Sequence, residues 1–192
     1  MIFVFNEIKY KITRSIPMTV KWGMLFIVIF FSSFTKSSLS NKEGVHWLSI
    51  EEVQVKLKIE KRPILVDLYT DWCYWCKVMD KKTYSDPKVA AYINEHYYAV
   101  KINAESKETI KWNEKLFSYN QQNKLNDFAL FVSPGEIGFP TTVIFPEMTL
   151  QPAAIPGYMT VKDIEPVLNY FGLNKYNEQS YNDFAKTYKN KW

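Results

Sequence analysis

The chain's two cysteines sit three positions apart in Asp71-Trp72-Cys73-Tyr74-Trp75-Cys76-Lys77, directly after the apolar run Pro63-Ile64-Leu65-Val66-Asp67-Leu68-Tyr69. Such a run reads as a buried strand, and the stretch beyond it as a helix that opens on the cysteine pair. The first turn of a helix leaves backbone N–H groups unpaired and carries the positive end of the helix dipole. A sulfur placed there is favoured as thiolate. Free cysteine titrates near about 8.5, and helix N-termini and Cys-x-x-Cys settings commonly lower that value. Because the thiolate is the attacking species in disulfide exchange, Cys73 is expected to be the nucleophile and Cys76 the resolving thiol.

Two blander readings stand beside this one. A structural crosslink between Cys73 and Cys76 would close a very small loop, for which the gain in chain entropy is slight. A structural zinc site needs four Cys or His ligands, whereas His46 and His96 both lie outside the motif. Met79, three residues past Cys76, would complete a soft Cys, Cys, Met site for Cu(I), or it packs in the core.

With 192 residues, 47% of them hydrophobic and 17% aromatic, the chain can bury one ordinary core. The net charge of +4 is spread among interleaved lysines and acids, without the basic stripe of a nucleic-acid surface. There is no glycine-rich phosphate loop and no internal repeat, so the residues suggest no nucleotide cofactor and no nucleic-acid partner. Near the amino end, Trp22 to Phe31 is apolar, preceded by Lys21 and followed by a serine-rich stretch with Ser38 and Ser40 before Asn41. An apolar core of about ten residues suits an export signal and falls short of the roughly 20 needed to span a bilayer. The expectation is a signal peptide over residues 1–40, with the true start at Met1 or Met18, and a mature protein outside the cytoplasm, periplasmic or otherwise extracytoplasmic. An uncleaved membrane anchor, lengthened by Phe31 to Phe34, is the alternative.

Residues 41–174 then form the domain and 175–192 a helical tail. Ser49 with Glu51 and Glu52 predicts a helix over 49–60. A strand follows at 63–69, the dithiol helix at 73–83, a helix at 86–95 capped by Asp86 with Pro87 at its first position, and a strand at 97–103 parallel to the first. A hairpin is expected over 109–119 around Asn113-Glu114-Lys115 and a helix over 123–132. Thr141 to Phe145 reads as a β-branched strand, Leu150 to Gly157 as an edge strand confined there by two prolines, and 161–172 as an amphipathic helix. Tyr176 to Lys189 reads as one more helix packed on the outside.

Three motifs in this order resemble the thioredoxin superfamily: Val66-Asp67-Leu68-Tyr69 before Trp72-Cys73-x-x-Cys76-Lys77, then Gly138-Phe139-Pro140-Thr141, then Gly157-Tyr158 before the last helix of the domain. The resemblance covers roughly residues 45–172. Tyr69-Thr70-Asp71-Trp72-Cys73 and Thr83-Tyr84-Ser85-Asp86-Pro87-Lys88-Val89 are most similar to the periplasmic carboxy-terminal domain of the transmembrane reductant carrier DsbD, and they also resemble stand-alone exported thioredoxin-like proteins. This implies a thioredoxin-like α/β fold: a central mixed β-sheet flanked by helices, with a hairpin and a helix inserted before the strand that follows a cis proline. Carried over residue by residue, it implies Cys73 as nucleophile, Cys76 as resolving cysteine, Asp67 as a buried acid beneath the dithiol, and Pro140 as the cis proline after Phe139. A buried Asp67 would have a raised pKa and could accept the Cys76 proton. The backbone at Phe139-Pro140 would pair with an extended substrate segment. Trp72, Tyr74 and Trp75 would form an exposed aromatic rim that grips polypeptide, although Trp72 serves equally well as a packing residue. Tyr74-Trp75 replaces the Gly-Pro of thioredoxin itself, so neither redox potential nor substrate surface carries over, and the segment 105–135 is longer than its thioredoxin counterpart.

The activity implied is a thiol-disulfide oxidoreductase that reduces protein disulfides, acts as a monomer, needs no cofactor beyond its own redox-active disulfide, and draws electrons from a membrane-embedded thiol donor. The alternative is a thioredoxin-fold module that binds polypeptide or Cu(I) without turnover.

Overall fold

In the computed structural model, which describes residues 44–135 and 137–192, the first element among the described residues is a two-residue strand β1 (Trp47–Leu48). Helix α1 (Ile50–Leu57) follows, closed at its start by a reciprocal cap in which Ser49 Oγ accepts from Glu52 N–H and the Glu52 carboxylate accepts from Ser49 N–H. Next come β2 (Ile64–Tyr69), α2 (Tyr74–Met79), a single π-helical turn (Asp80–Tyr84), α3 (Pro87–His96) and β3 (Tyr98–Asn103). Asp86 caps α3 by accepting from the N–H groups of Lys88 and Val89, with Pro87 at the first helical position, where a missing N–H costs nothing.

The segment 105–135 holds β4 (Ile110–Trp112), β5 (Lys115–Phe117), the short ladder β6 (Tyr119–Asn120) and β7 (Leu125–Asn126), and α4 (Asp127–Val132). The chain then runs through β8 (Thr141–Phe145), β9 (Ala153–Pro156) and α5 (Val161–Gly172). A 3₁₀ turn (Lys175–Asn177) and α6 (Tyr181–Thr187) complete it.

Five strands form one mixed sheet in the order β1-β3-β2-β8-β9. β1, β3 and β2 are parallel, while β8 is antiparallel to both β2 and β9. The alternation of side chains along β2 divides the core in two. Leu65 faces one layer with Met79, Val89, Ile93, Ile164 and Leu168. Ile64, Val66 and Leu68 face the other, with Val53 of α1, Trp112 and Phe117 of the hairpin and Phe128 of α4. The inserted segment is therefore a structural wall of the second layer, and burying a ring such as Phe128 contributes about 2–3 kcal/mol. The expected hairpin forms: Asn113 and Glu114 both take positive φ, +44° and +65°, as a two-residue turn matched to strand twist requires.

Several boundaries differ from expectation. The helix expected over 73–83 is α-helical only to Met79 and widens into the π turn, a distinction that apolar spacing over a single turn does not carry. The helix expected over 123–132 begins at Asp127, because Asn123 and Lys124 are used in the turn between β6 and β7, with Lys124 at φ +55°. Asn120 Oδ1 holds that turn by accepting from Gln122 and Asn123 N–H. β9 is shorter than Leu150 to Gly157, and the tail expected as one helix over 176–189 is a 3₁₀ turn followed by α6. β1 and the β6–β7 ladder were not expected at all.

The tail is tied to α5 at a point the sequence marks with Pro166. A proline inside a helix removes the N–H that would bond the carbonyl four residues back. That carbonyl, Lys162 O, accepts instead from Asn190 Nδ2 at 2.8 Å. The neighbouring Glu165, fully buried, accepts from Tyr188 Oη and from the backbone N–H groups of Lys191 and Trp192. Among the described residues no helix is long and apolar enough to cross a membrane. Residues 1–40, read above as an export signal or anchor, lie outside the described residues.

Candidate active site at the head of the dithiol helix

β2 ends at Tyr69, and Thr70 O accepts from Cys73 N–H at 3.1 Å, turning the chain into α2. Cys73 is the residue that caps α2: its backbone is extended (φ −68°, ψ 107°), and its Sγ accepts from Cys76 N–H at 3.0 Å. The two cysteines are joined in a disulfide. Both are buried, at 4% and 3% exposure, while the residues around and between them are open: Trp72 at 67%, Tyr74 at 70% and Trp75 at 53%. Three large aromatic side chains around one disulfide make an exposed aromatic patch, unlike the singly scattered apolar side chains ordinary on a surface.

The Phe139-Pro140 bond is cis, and Gly157 N–H donates to Pro140 O at 2.8 Å, bringing the β9 end of the sheet beside it. Trp72 packs edge-on against Phe139 with ring centres 6.0 Å apart, and its indole N–H donates to Glu105 at 3.0 Å. Trp75 lies over Tyr158 at 5.4 Å. Between them Trp75, Phe139, Pro140, Gly157 and Tyr158 enclose an open hollow of about 290 Å³. A larger hollow of about 580 Å³ lies at the other end of the sheet, where Pro63 precedes β2 and Pro146 follows β8. It is remote from the disulfide, and its Arg62 is already bound to Glu60 and to the carbonyls of Asn94 and Glu95.

Asp67 is 1% exposed on β2. Its Oδ2 accepts from Lys101 Nζ, which also donates to Asp80 Oδ1 on the π turn and lies over the rings of Trp47 and Tyr69. Burial pushes the Asp67 carboxyl up to about 6, against the pull of Lys101 and with a further push from Asp80. Burial alone would lower Lys101, but the two carboxylates hold it above its ordinary value. A carboxyl that titrates near neutrality can both take and return a proton at working pH.

The structure thus brings Trp72, Cys73, Tyr74, Trp75, Cys76, Phe139 and Pro140 to one end of the sheet, with Asp67 buried on the strand that leads there. Met79 is fully buried in the core layer beneath α2. Lys101, Asp80 and Glu105 were not singled out in the sequence. Lys101 had left a trace, as a charge interrupting the apolar strand Tyr98 to Asn103 just as Asp67 interrupts its own.

The family model Thioredox_DsbH, described as a protein of unknown function, DUF255, matches residues 32–175. Among curated proteins the chain is similar to the thiol:disulfide interchange protein DsbD of Vibrio vulnificus, 35% identical over 69 residues that cover 34% of this chain and 12% of that protein. It is also similar to DsbD of Pectobacterium atrosepticum, 26% identical over 125 residues that cover 64% and 19%. The chain therefore spans less than a fifth of the length of these relatives. Among solved structures, a thioredoxin-fold protein from Helicobacter pylori superposes with a TM-score of 0.52 at 21% identity, covering 65% of this chain and 78% of that one, which shows the fold.

Proposed function

The chain belongs to the thioredoxin-like Thioredox_DsbH family, and on that premise we propose that it is a thiol-disulfide oxidoreductase working outside the cytoplasm, where it reduces disulfides in polypeptide substrates. The observation that carries the reading is the Cys73–Cys76 disulfide at the head of α2, with Cys73 Sγ in the capping position and three exposed aromatic side chains around it.

The cycle starts from the reduced dithiol. The Cys73 thiolate attacks one sulfur of the substrate disulfide; an S–S bond forms between that sulfur and Cys73, and the other substrate sulfur leaves first, as thiolate. Cys76 gives its proton to Asp67 and attacks Cys73 Sγ, expelling the second substrate sulfur and closing the Cys73–Cys76 disulfide. Two electrons have passed to the substrate. The aromatic rim and the hollow beside Pro140 hold the polypeptide during the exchange. A dithiol donor, in this reading membrane-embedded, returns the two electrons. The sequence offers no nucleotide-binding loop that would let the chain take hydride directly.

Equilibrium of the full chain with glutathione or dithiothreitol buffers, followed by thiol alkylation, tests the direction. A potential near about −270 mV supports a reductase, and one near about −120 mV overturns it in favour of an oxidant. Cys73→Ala tests the class: loss of turnover is expected, and retained turnover would remove the dithiol from the chemistry.

A further inference from the structure

Asp67 stands directly opposite Thr142 in the antiparallel β2–β8 ladder. Cross-strand partners share one face of the sheet, with Cβ atoms about 5 Å apart. The Thr142 hydroxyl is fully buried and lies 3.1 Å from Tyr84 Oη, itself 2% exposed. Tyr84 is the last residue of the π turn, and its ring is held edge-on by Trp47 at 5.1 Å. The two ends of that turn therefore both reach the locality of Asp67: Asp80 through Lys101, Tyr84 through Thr142.

Asp67 has two oxygens in different circumstances. Oδ2 is taken by Lys101, whereas Oδ1 is buried with no hydrogen-bond partner among the described residues. An ammonium offers donors only, so Lys101 serves the carboxylate and can do nothing for the O–H of the neutral acid. Asp80 is spoken for by the same ammonium and is open to water. A hydroxyl can accept as well as donate.

We infer that the Tyr84–Thr142 hydroxyl pair positions the Asp67 proton: Thr142, its own hydrogen directed to Tyr84 Oη, accepts the O–H that Asp67 acquires when Cys76 is deprotonated. This rests on the proton transfer in the proposed cycle and adds the partner that the neutral acid needs. Balance is kept, since the proton leaves the Cys76 thiol, resides on Asp67, and stays hydrogen-bonded until it is returned. The charged or titratable groups that act on Asp67 are Lys101 from β3, which lies over the ring of Tyr69, and Asp80 and Tyr84 from the π turn. Among them, Tyr84 joins Thr142 in a hydroxyl pair able to serve both protonation states.

Removing either hydroxyl disfavours the neutral acid. Thr142→Val deletes the acceptor outright. Tyr84→Phe frees the Thr142 hydrogen to donate to the carboxylate, which stabilises the charged form instead. The deciding experiment is a ¹³C NMR pH titration of the Asp67 carboxyl in the oxidised full chain. The expected midpoint is about 6 in the parent protein. In Thr142→Val it falls by about one pH unit, a tenfold loss of proton affinity, and Tyr84→Phe moves it the same way. Thr142→Ser retains the parent value. A midpoint unmoved or raised in Thr142→Val overturns the inference. Thr142→Val and Thr142→Ser decide the matter even if Tyr84→Phe fails to fold. No substrate enters this measurement, so an absence of turnover would strike the proposed function and leave the titration result standing.

Discussion

Lys101 holds its ammonium 2.5 Å from Asp67 Oδ2, so the buried acid on β2 is answered by a base at the register position beside it on β3. The pairing is incomplete compensation, since burial still lifts the carboxyl from 3.8 to about 6. A carboxyl whose folded pKa lies above its unfolded one binds its proton more tightly in the native state. Its contribution is therefore fully present below about pH 4 and is lost as pH rises through about 6. Asp67→Asn should raise the unfolding free energy at pH 8 by about 2–3 kcal/mol and change it little at pH 4, with Lys101 kept neutralised by Asp80. Urea melts at the two pH values check this; equal effects at both would refute the assignment.

Cys76→Ala should arrest exchange after the first attack. A substrate–Cys73 adduct should accumulate on non-reducing gels and dissolve with dithiothreitol, and Cys73→Ala should give none. Adducts of equal yield in both variants would mean that the two sulfurs are not distinguished.

Tyr158 forms a wall of the hollow beside Pro140 without belonging to the dithiol. Tyr158→Ala should lower kcat/KM for a polypeptide disulfide by about tenfold, through KM, which corresponds to about 1.4 kcal/mol of lost binding. The reduction potential should stay where it was. A shifted potential with unchanged KM would relocate the effect from recognition to the sulfur chemistry.

Glu165 is the anchor of the carboxy-terminal segment. Glu165→Ala strands the Tyr188 hydroxyl and two backbone N–H groups, and should cost about 3 kcal/mol while making the last residues a faster substrate for carboxypeptidase. Glu165→Gln, which keeps an acceptor, should cost less. Unchanged digestion in Glu165→Ala would show that the tail is held by its aromatic packing alone.

The parts of this molecule legible in its sequence are those written locally. Ser49 with Glu52, Asp86 with Pro87, and Asn113-Glu114 between the alternating runs Ile110-Lys111-Trp112 and Lys115-Leu116-Phe117 each carry their own cap or turn chemistry. The parallel neighbours β2 and β3 follow from the helical crossover between them and the β8–β9 pair from its short turn, whereas β8 reaches β2 from beyond the whole inserted segment. Partnerships across distant segments were not legible. Lys101 reaches Asp67 from 34 positions away, and Thr142 meets Tyr84 across 58, with no spacing rule to join them. Asn190 repairs the gap at Pro166 from the far end of the chain; the proline was visible, but its remedy was not. β1 and the β6–β7 ladder are two residues per strand, below the length at which alternation becomes a pattern.

Both edges of the main sheet are blunt. β1 is two residues long, and β9 is bracketed by Pro152 and Pro156, neither of which can donate a backbone N–H. Unpaired strand edges are templates on which other chains stack into aggregates, and short strands and prolines are the usual guards against it. Three aromatic side chains stand exposed around the disulfide of this protein, and a surface of that kind adds to the hazard. Here edge strand β9 ends on Pro156 right beside the aromatic patch, with Gly157 and Tyr158 already lining the hollow under Trp75, so the guard stands where exposed rings would otherwise adjoin an open strand.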